Sequence, residues 1–353
     1  MSQISDVRKL GNLPKSNNFD MLRLVLAWSV VFCHCYALSH AAALSWINRW
    51  VDGTTAVQGF FAISGCLIVA SYDRNPNIKN YFQRRAERIL PAYYAAIAFC
   101  LVLGSVFSCY SWTVFFQSSE TWKYLAVNSV FLNTLHPDLP GVFRQNLFPY
   151  AMDGALWTIK IEVMFYAFVP ILSYLCRMLG NARVLVSIFI LSLAYHEIFH
   201  RLHREDLAKQ LPGQLGFFLV GAAVYYYNDQ FQRYRASMWG LALLSTALIY
   251  LWPMFLWQVL GVPLLVLCFG LLFPVFRGPT IYGDFSYGTY VFHFPIIQAI
   301  VALGLFRIAP YGATAAVVGI VVVVSVASWY IVERRFLKRV RTKALGKLAR
   351  TVA

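Results

Sequence analysis

The chain has 353 residues, 59% hydrophobic and 13% charged, with a mean hydropathy of +0.59. Soluble domains run at about 45–50% apolar and about 25% charged, so the composition excludes an ordinary soluble enzyme. Thirty Lys and Arg against 15 Asp and Glu give a net charge of +15; that balance can mark a nucleic-acid binder, but not in a chain this apolar, and no nucleic-acid partner is expected.

A hydrocarbon layer about 30 Å thick takes about 20 mostly apolar helical residues. Runs of this kind fall at 21–39, 54–70, 91–109, 155–175, 184–199, 212–227, 237–252, 254–275, 285–306 and 312–332. They predict an all-α polytopic membrane protein of about ten transmembrane helices. Residues 1–20 form a leading segment, 21–332 the transmembrane domain and 333–353 a basic tail. Trp252-Pro253 is the one breaker between the seventh and eighth runs. The long segment at about 110–154 carries Trp112, Trp122, Phe143 and Tyr150 with Pro137, Pro140 and Pro149. It is expected to fold as a partly interfacial outer cap. Its rings suit sugars, although aromatics also simply collect at membrane interfaces.

Cytoplasmic loops collect Lys and Arg. With the N-terminus inside and ten spans, 21 of the 30 basic residues fall inside and seven outside, Arg23 and Lys160 lying within spans. Both termini are therefore expected to be cytoplasmic, and most of the charge records orientation. The first apolar run is longer than a signal-peptide core and is read as an uncleaved span. Seven cysteines exclude a complete intrachain disulfide framework. Cys33 and Cys35 flank His34, but residues i and i+2 point about 200° apart on a helix, so no metal site is expected.

Ionisable residues inside spans cost several kcal/mol and are functional candidates by default. Asp20, Arg23 and His34 fall on nearly one helical face, Arg23 and His34 about 16 Å apart along the axis. A lone buried histidine can also merely bond a neighbouring carbonyl. Gly59-Phe60-Phe61 through Ser64-Gly65 holds small residues that let helices approach closely. Arg84, Arg85 and Arg88 precede Pro91 with two guanidiniums on one face, a fork suited to phosphate or a positive-inside anchor. Trp157 leads to Glu162 and, one turn on, Tyr166; a buried carboxylate needs a cation or base, or stays neutral, and Lys160 is one structural partner. Ser286-Tyr287, Tyr290 and His293-Phe294-Pro295 supply a second intramembrane histidine, whereas His196 and Glu197 near a span end read as solvated.

The order and spacing of these blocks, from about residue 19 to 336, resemble the acyltransferase family 3 integral membrane enzymes, which O-acylate bacterial surface polysaccharides and related glycans. The resemblance implies a multi-pass protein of the bacterial inner membrane with an acyl-CoA donor, most simply acetyl-CoA, reached from the cytoplasm. Its acceptor would be a glycan or lipid-linked glycan, such as O-antigen or exopolysaccharide, on the other side. His34 corresponds to the essential first-span histidine, acting as general base or acyl carrier, with Glu162 or Asp20 orienting or charge-compensating it. Arg85 and Arg88 match the pair that engages the donor phosphates, and Arg84 and Arg23 cluster with them. Phe60, Phe61, Ser64, Gly65, Trp157, Tyr166, Tyr287 and His293 are expected as substrate or structural positions. The rival readings are a transporter or flippase using the same groups as a relay, for which the chain lacks paired repeats, and a non-catalytic membrane sensor or assembly factor.

Overall fold

The computed structural model describes residues 13–14, 16–149, 151–276 and 278–337; Arg8, Lys9, Lys15, Tyr150, Arg277 and the basic tail from 338 lie outside the described residues. Every regular element among the described residues is helical, apart from one antiparallel bridge between Ser108 and Val142. Ten helices carry the architecture: α1 (Phe19–Ser39), α2 (Gly53–Arg74), α3 (Ile78–Phe107), α4 (Trp157–Leu179), α5 (Asn181–Arg201), α6 (Leu211–Tyr226), α7 (Arg235–Leu251), α8 (Phe255–Leu271), α9 (Ser286–Ala302) and α10 (Pro310–Ser328). Each of the ten apolar runs holds one of them.

Six stretches are long and apolar enough to cross a membrane: Phe19–Ser39, Ala42–Arg74, Ile78–Phe107, Gly154–Leu179, Asn181–Arg201 and Pro310–Leu337. The helices in the other four predicted spans, α6 to α9, have 16 or 17 residues. At 1.5 Å per residue they measure about 24–26 Å, short of a hydrocarbon layer of about 30 Å. Their ends are cut by turns: α7 stops at Leu251 and α8 begins at Phe255, so Trp252 and Pro253 do separate two helices. The chain is a polytopic membrane protein.

The helices group into two compact units, one comprising Met1–Leu22, Val57–Tyr81 and Ile161–Phe276, the other Arg23–Ala56, Phe82–Lys160 and Arg277–Ala353. Lipid tails are as apolar as leucine, so close packing and interhelical hydrogen bonds must hold each unit. In unit one α2 and α6 approach backbone to backbone. A Cβ at Gly65 would collide with the carbonyl oxygen of Phe218, and one at Gly221 with that of Ala62. Beside this crossing the Phe165 ring stacks on Phe218, centroids 4.5 Å apart, and receives the edge of Phe61 at 5.1 Å. Polar ties are few: Gln258 Nε2 donates to Gln58 Oε1 at 3.1 Å, and Asp73 accepts Ser173 Oγ at 2.6 Å and faces Arg177 at 3.6 Å. Asn18 holds the head of α1, its Nδ2 donating to the carbonyls of Phe269 and Pro274 and its Oδ1 accepting the Phe276 N–H.

In unit two α9 is the hub. Tyr287 Oη donates to the Ile89 carbonyl of α3 at 3.2 Å, Phe292 meets Phe99 edge to face, and Thr289 Oγ1 donates to Ser325 Oγ of α10 at 3.2 Å. The segment after α3 forms helices Trp112–Gln117 and Ser119–Ser129, N-capped by Ser111 and Ser118. Its irregular part is tied down from within: Tyr93 Oη donates to the Asn128 carbonyl at 2.7 Å and accepts Asn133 Nδ2 at 2.8 Å. Asn146 Nδ2 donates to Gln298 Oε1 at 2.8 Å, and Gln298 Nε2 to the Phe148 carbonyl at 2.7 Å. Phe143 is buried there, whereas Trp112 and Trp122 are exposed.

Candidate functional site

Two histidines 259 residues apart meet inside unit two. His34 Nδ1 on α1 lies 2.7 Å from His293 Nε2 on α9, the rings within 9° of parallel. His293 is fully buried, and its Nδ1 lies 2.6 Å from the Tyr290 carbonyl oxygen. A carbonyl only accepts, so the neutral His293 ring carries its hydrogen on Nδ1 and a lone pair on Nε2. His34 Nδ1 is then the donor of the pair, which leaves the lone pair of a neutral His34 on its Nε2. The edge of Phe294 packs on the His34 ring at 5.2 Å. Tyr290 is fixed in turn, its Oη 2.7 Å from Thr158 Oγ1 at the start of α4. The order runs Thr158 to Tyr290, then His293, then His34, and it locks one imidazole with one nitrogen available.

About 16 Å back along α1 from His34, charges gather. Arg88 of α3 pairs with Asp284, which also faces Arg23 at 3.8 Å. The second Arg88 nitrogen lies 3.9 Å from Glu333 Oε2, a carboxylate 2% exposed at the π-helical end of α10. Asp284 also accepts Ser286 Oγ at 2.5 Å and the Ser286 N–H at 3.3 Å, so it is tied to the first residue of α9. Burial alone would push the Asp284 carboxyl up, but Arg88, Arg23 and Ser286 outweigh it and hold the group below the usual carboxylate range.

Of the sequence-predicted positions, unit two thus brings His34 to His293, sets Arg23 and Arg88 on one carboxylate and ties Tyr287 to α3. Arg84, Arg85 and Trp157 belong to the same unit. Asp20, Phe60, Phe61, Ser64, Gly65, Glu162 and Tyr166 belong to unit one. There Gly65 and Phe61 serve the packing described above, and Glu162 Oε1 accepts Tyr166 Oη at 2.6 Å. The group bonded to His34 Nδ1 is His293, where Glu162 or Asp20 was expected to orient the ring. Sequence reasoning passed over three carboxylates. Asp284 falls between two apolar runs, Glu333 at the start of the basic tail, and Asp153 in the outer segment. Asp153 is buried, accepts the Ala155 N–H at 3.0 Å and is pushed up to about 8 by burial. The one signal that could have found them is a carboxylate within two residues of an apolar run in a chain that has only 15. All seven cysteines are free, Cys33 Sγ bonding the Val51 carbonyl at 2.9 Å, and no group of three metal-ligating side chains occurs among the described residues.

No solved structure matches this chain. It is 25% identical to the O-acetyl transferase of Shigella phage Sf6 over 343 residues, covering 92% of this chain and 97% of that one. It is also 25% identical to nodulation protein 10 of Rhizobium leguminosarum bv. viciae over 374 residues, covering 94% and 95%. The family model described as an acyltransferase domain matches residues 16–334, a span that takes in every helix of both units and the His34–His293 and Arg88–Asp284 contacts. The chain therefore belongs to the acyltransferase family 3 and is a membrane acyltransferase.

Proposed function

We propose that the protein moves an acetyl group from cytoplasmic acetyl-CoA to a hydroxyl of a glycan exposed on the far side of the bacterial plasma membrane, with His34 as the catalytic base. The observation that carries this reading is the 2.7 Å contact of His34 Nδ1 with His293 Nε2, beside the 2.6 Å contact of His293 Nδ1 with the Tyr290 carbonyl; with both rings neutral, these contacts place the His34 hydrogen on Nδ1 and leave its Nε2 as a lone pair. In the proposed step His34 Nε2 takes the proton of the acceptor hydroxyl as that oxygen attacks the thioester carbonyl. The C–S bond breaks, and the CoA thiolate leaves with the proton that His34 returns. General-base catalysis of this kind is worth about 10²–10⁴-fold. Ten spans with both termini cytoplasmic put Arg23, Arg84, Arg85 and Arg88 at the inner surface, where the phosphates of CoA dock and its flexible arm runs along α1 toward His34. Asp284 and Glu333 position Arg88 for that contact. The O-acetyl transferase of phage Sf6, similar along nearly its whole length, supports acetyl as the acyl group.

Purified protein in lipid nanodiscs, given radiolabelled acetyl-CoA and a saccharide acceptor, is expected to release free CoA and label the saccharide. Saccharide movement across proteoliposomes without label transfer would instead support a transporter, and CoA binding without turnover a sensor.

A further inference from the structure

At the opposite end of α1 from Arg23, unit two encloses a cavity of about 540 Å³, within the range of small-ligand sites, about 300–1,000 Å³. Ser39, one of its walls, is five residues past His34, about 8 Å along α1. The other walls include Arg144, Asn146 and Phe143 from the segment after α3, and Arg307 from the turn after α9. Two guanidiniums line it, and no carboxylate does among the described residues. The contrast with the Arg23–Arg88 end is sharp, because there Asp284 and Glu333 already answer the charge.

The walls are built in advance of any ligand. Arg144 Nη2 donates to Tyr110 Oη at 3.1 Å, and the guanidinium lies 5.4 Å from the Tyr110 ring centre, which aims it. Phe143 is held at φ 51°, in the left-handed region, where a residue of this type carries about 1–3 kcal/mol of strain. The surroundings enforce that turn: Val142 bridges Ser108, the Cys109 N–H donates to the Gly141 carbonyl at 3.1 Å, and buried Asn146 is bonded twice to Gln298. In the orientation proposed above, this is the outer end, where arginines do not serve as topology anchors. Only seven basic residues of the sequence fall on that side, and two of them line this one cavity.

We infer that this cavity is the acceptor site and that Arg144 and Arg307 select a saccharide bearing a carboxylate, a uronic or related acidic sugar, with an apolar sugar face against Phe143. Guanidinium forks match carboxylate geometry, and Ser39 sets this wall about 8 Å past His34 along α1, at the end of the helix away from Arg23. The inference rests on the acyl-transfer reading of the protein and adds the acceptor's chemical class to it.

The test uses the full chain in nanodiscs, with a glucuronyl disaccharide and its carboxyl-reduced glucosyl counterpart as probes. Binding is read by intrinsic fluorescence and transfer by radiolabelled acetyl-CoA. The acidic probe is expected to bind about tenfold or more tightly, as befits hydrogen bonds to a charged group, and to be acetylated at the lower KM. Arg144→Gln with Arg307→Gln should erase the discrimination at an unchanged thermal midpoint, Arg144→Lys with Arg307→Lys should keep part of it, and Arg144→Glu should turn it toward a glucosaminyl disaccharide. That gain of a new preference cannot come from misfolding. Equal binding of the acidic and reduced probes by the wild type, discrimination that survives in the double Gln variant, or displacement of the acidic probe by equimolar inorganic phosphate would each overturn the inference. Discriminating binding without transfer to either probe would leave the site standing and count against the acyl-transfer reading alone.

Discussion

The two units use the same apolar alphabet for different ends. Unit one is drawn together by backbone approach at Gly65 and Gly221 and by the Phe61, Phe165 and Phe218 rings, with few side-chain hydrogen bonds such as Gln258 to Gln58 and Ser173 to Asp73. Unit two is tied by polar groups: two histidines bonded to each other, two arginines on one aspartate, and an Asn–Gln pair that fastens the loop at 143–149 to α9. In a bilayer such groups cost several kcal/mol unless satisfied, and here each has a named partner. The difference shows that the glycine and phenylalanine block of the sequence answers the demand of close packing in one unit, while its histidine and arginine blocks form polar contacts in the other, where we place the proposed chemistry.

That division can be broken or sharpened by substitution. The largest effect is expected at Gly65→Ala, whose new methyl meets a backbone carbonyl that cannot rotate away; overpacking costs about 1–3 kcal/mol, and a backbone obstacle puts this site at the top of that range, read as lost yield and a lowered thermal midpoint. A fall in kcat at an unchanged midpoint would move Gly65 from packing to chemistry. His293→Leu comes next, removing the acceptor for His34 Nδ1–H while filling the space. A drop in kcat on the order of 10²-fold is expected, with the acetyl-CoA KM unmoved, and His293→Gln, whose carbonyl oxygen can accept the same hydrogen, should recover much of it. Equal losses in the two variants would make His293 a packing residue like those of unit one.

Smaller is the effect of removing Arg85 and Arg88 together, which should raise the KM for acetyl-CoA about tenfold, the loss of one or two charge-assisted hydrogen bonds; an unaltered donor dependence would reduce the pair to a topology anchor. Smallest is the acid response of Asp284. Its carboxyl is held below the usual range, against the pull of its own burial, by Arg88 and Arg23. A depressed folded value adds stability above the unfolded carboxylate value of about 3.9, and that stability disappears as pH falls through the folded value. The thermal midpoint of the wild type should therefore decline below about pH 4, and Asp284→Asn should flatten that decline. An identical acid profile in both proteins would show that the Arg88–Asp284 pair contributes nothing to folding.

Much of this arrangement is legible in the sequence, for stated reasons. All ten apolar runs became helices because hydropathy over a window of bilayer length is a strong signal. His34 stood out because an ionisable group in such a run is expensive. The pairing of His34 with His293 was not legible, since it depends on how two helices 259 residues apart are rotated against each other, which the local pattern of neither encodes. Asp284 was hidden by its place in the polar turn just before α9, and Glu333 by the arginines that follow it, which make the end of the last run look like tail. The shortness of α6 and α7 is already in their runs, 212–227 and 237–252, whereas α8 and α9 end before runs 254–275 and 285–306 do, because apolar composition continues past Leu271 and Ala302 while the backbone turns.

In the proposed reaction one histidine nitrogen, fixed by a second histidine, moves the proton of the acceptor hydroxyl. The most direct test is the rate of acetyl transfer by purified His34→Ala beside the wild type, with both proteins matched in thermal midpoint and acetyl-CoA affinity. Transfer is expected to fall by about 10²-fold or more, on the scale of a lost general base, while donor binding and folding stay intact. Transfer at the wild-type rate by that variant would contradict the proposed reaction.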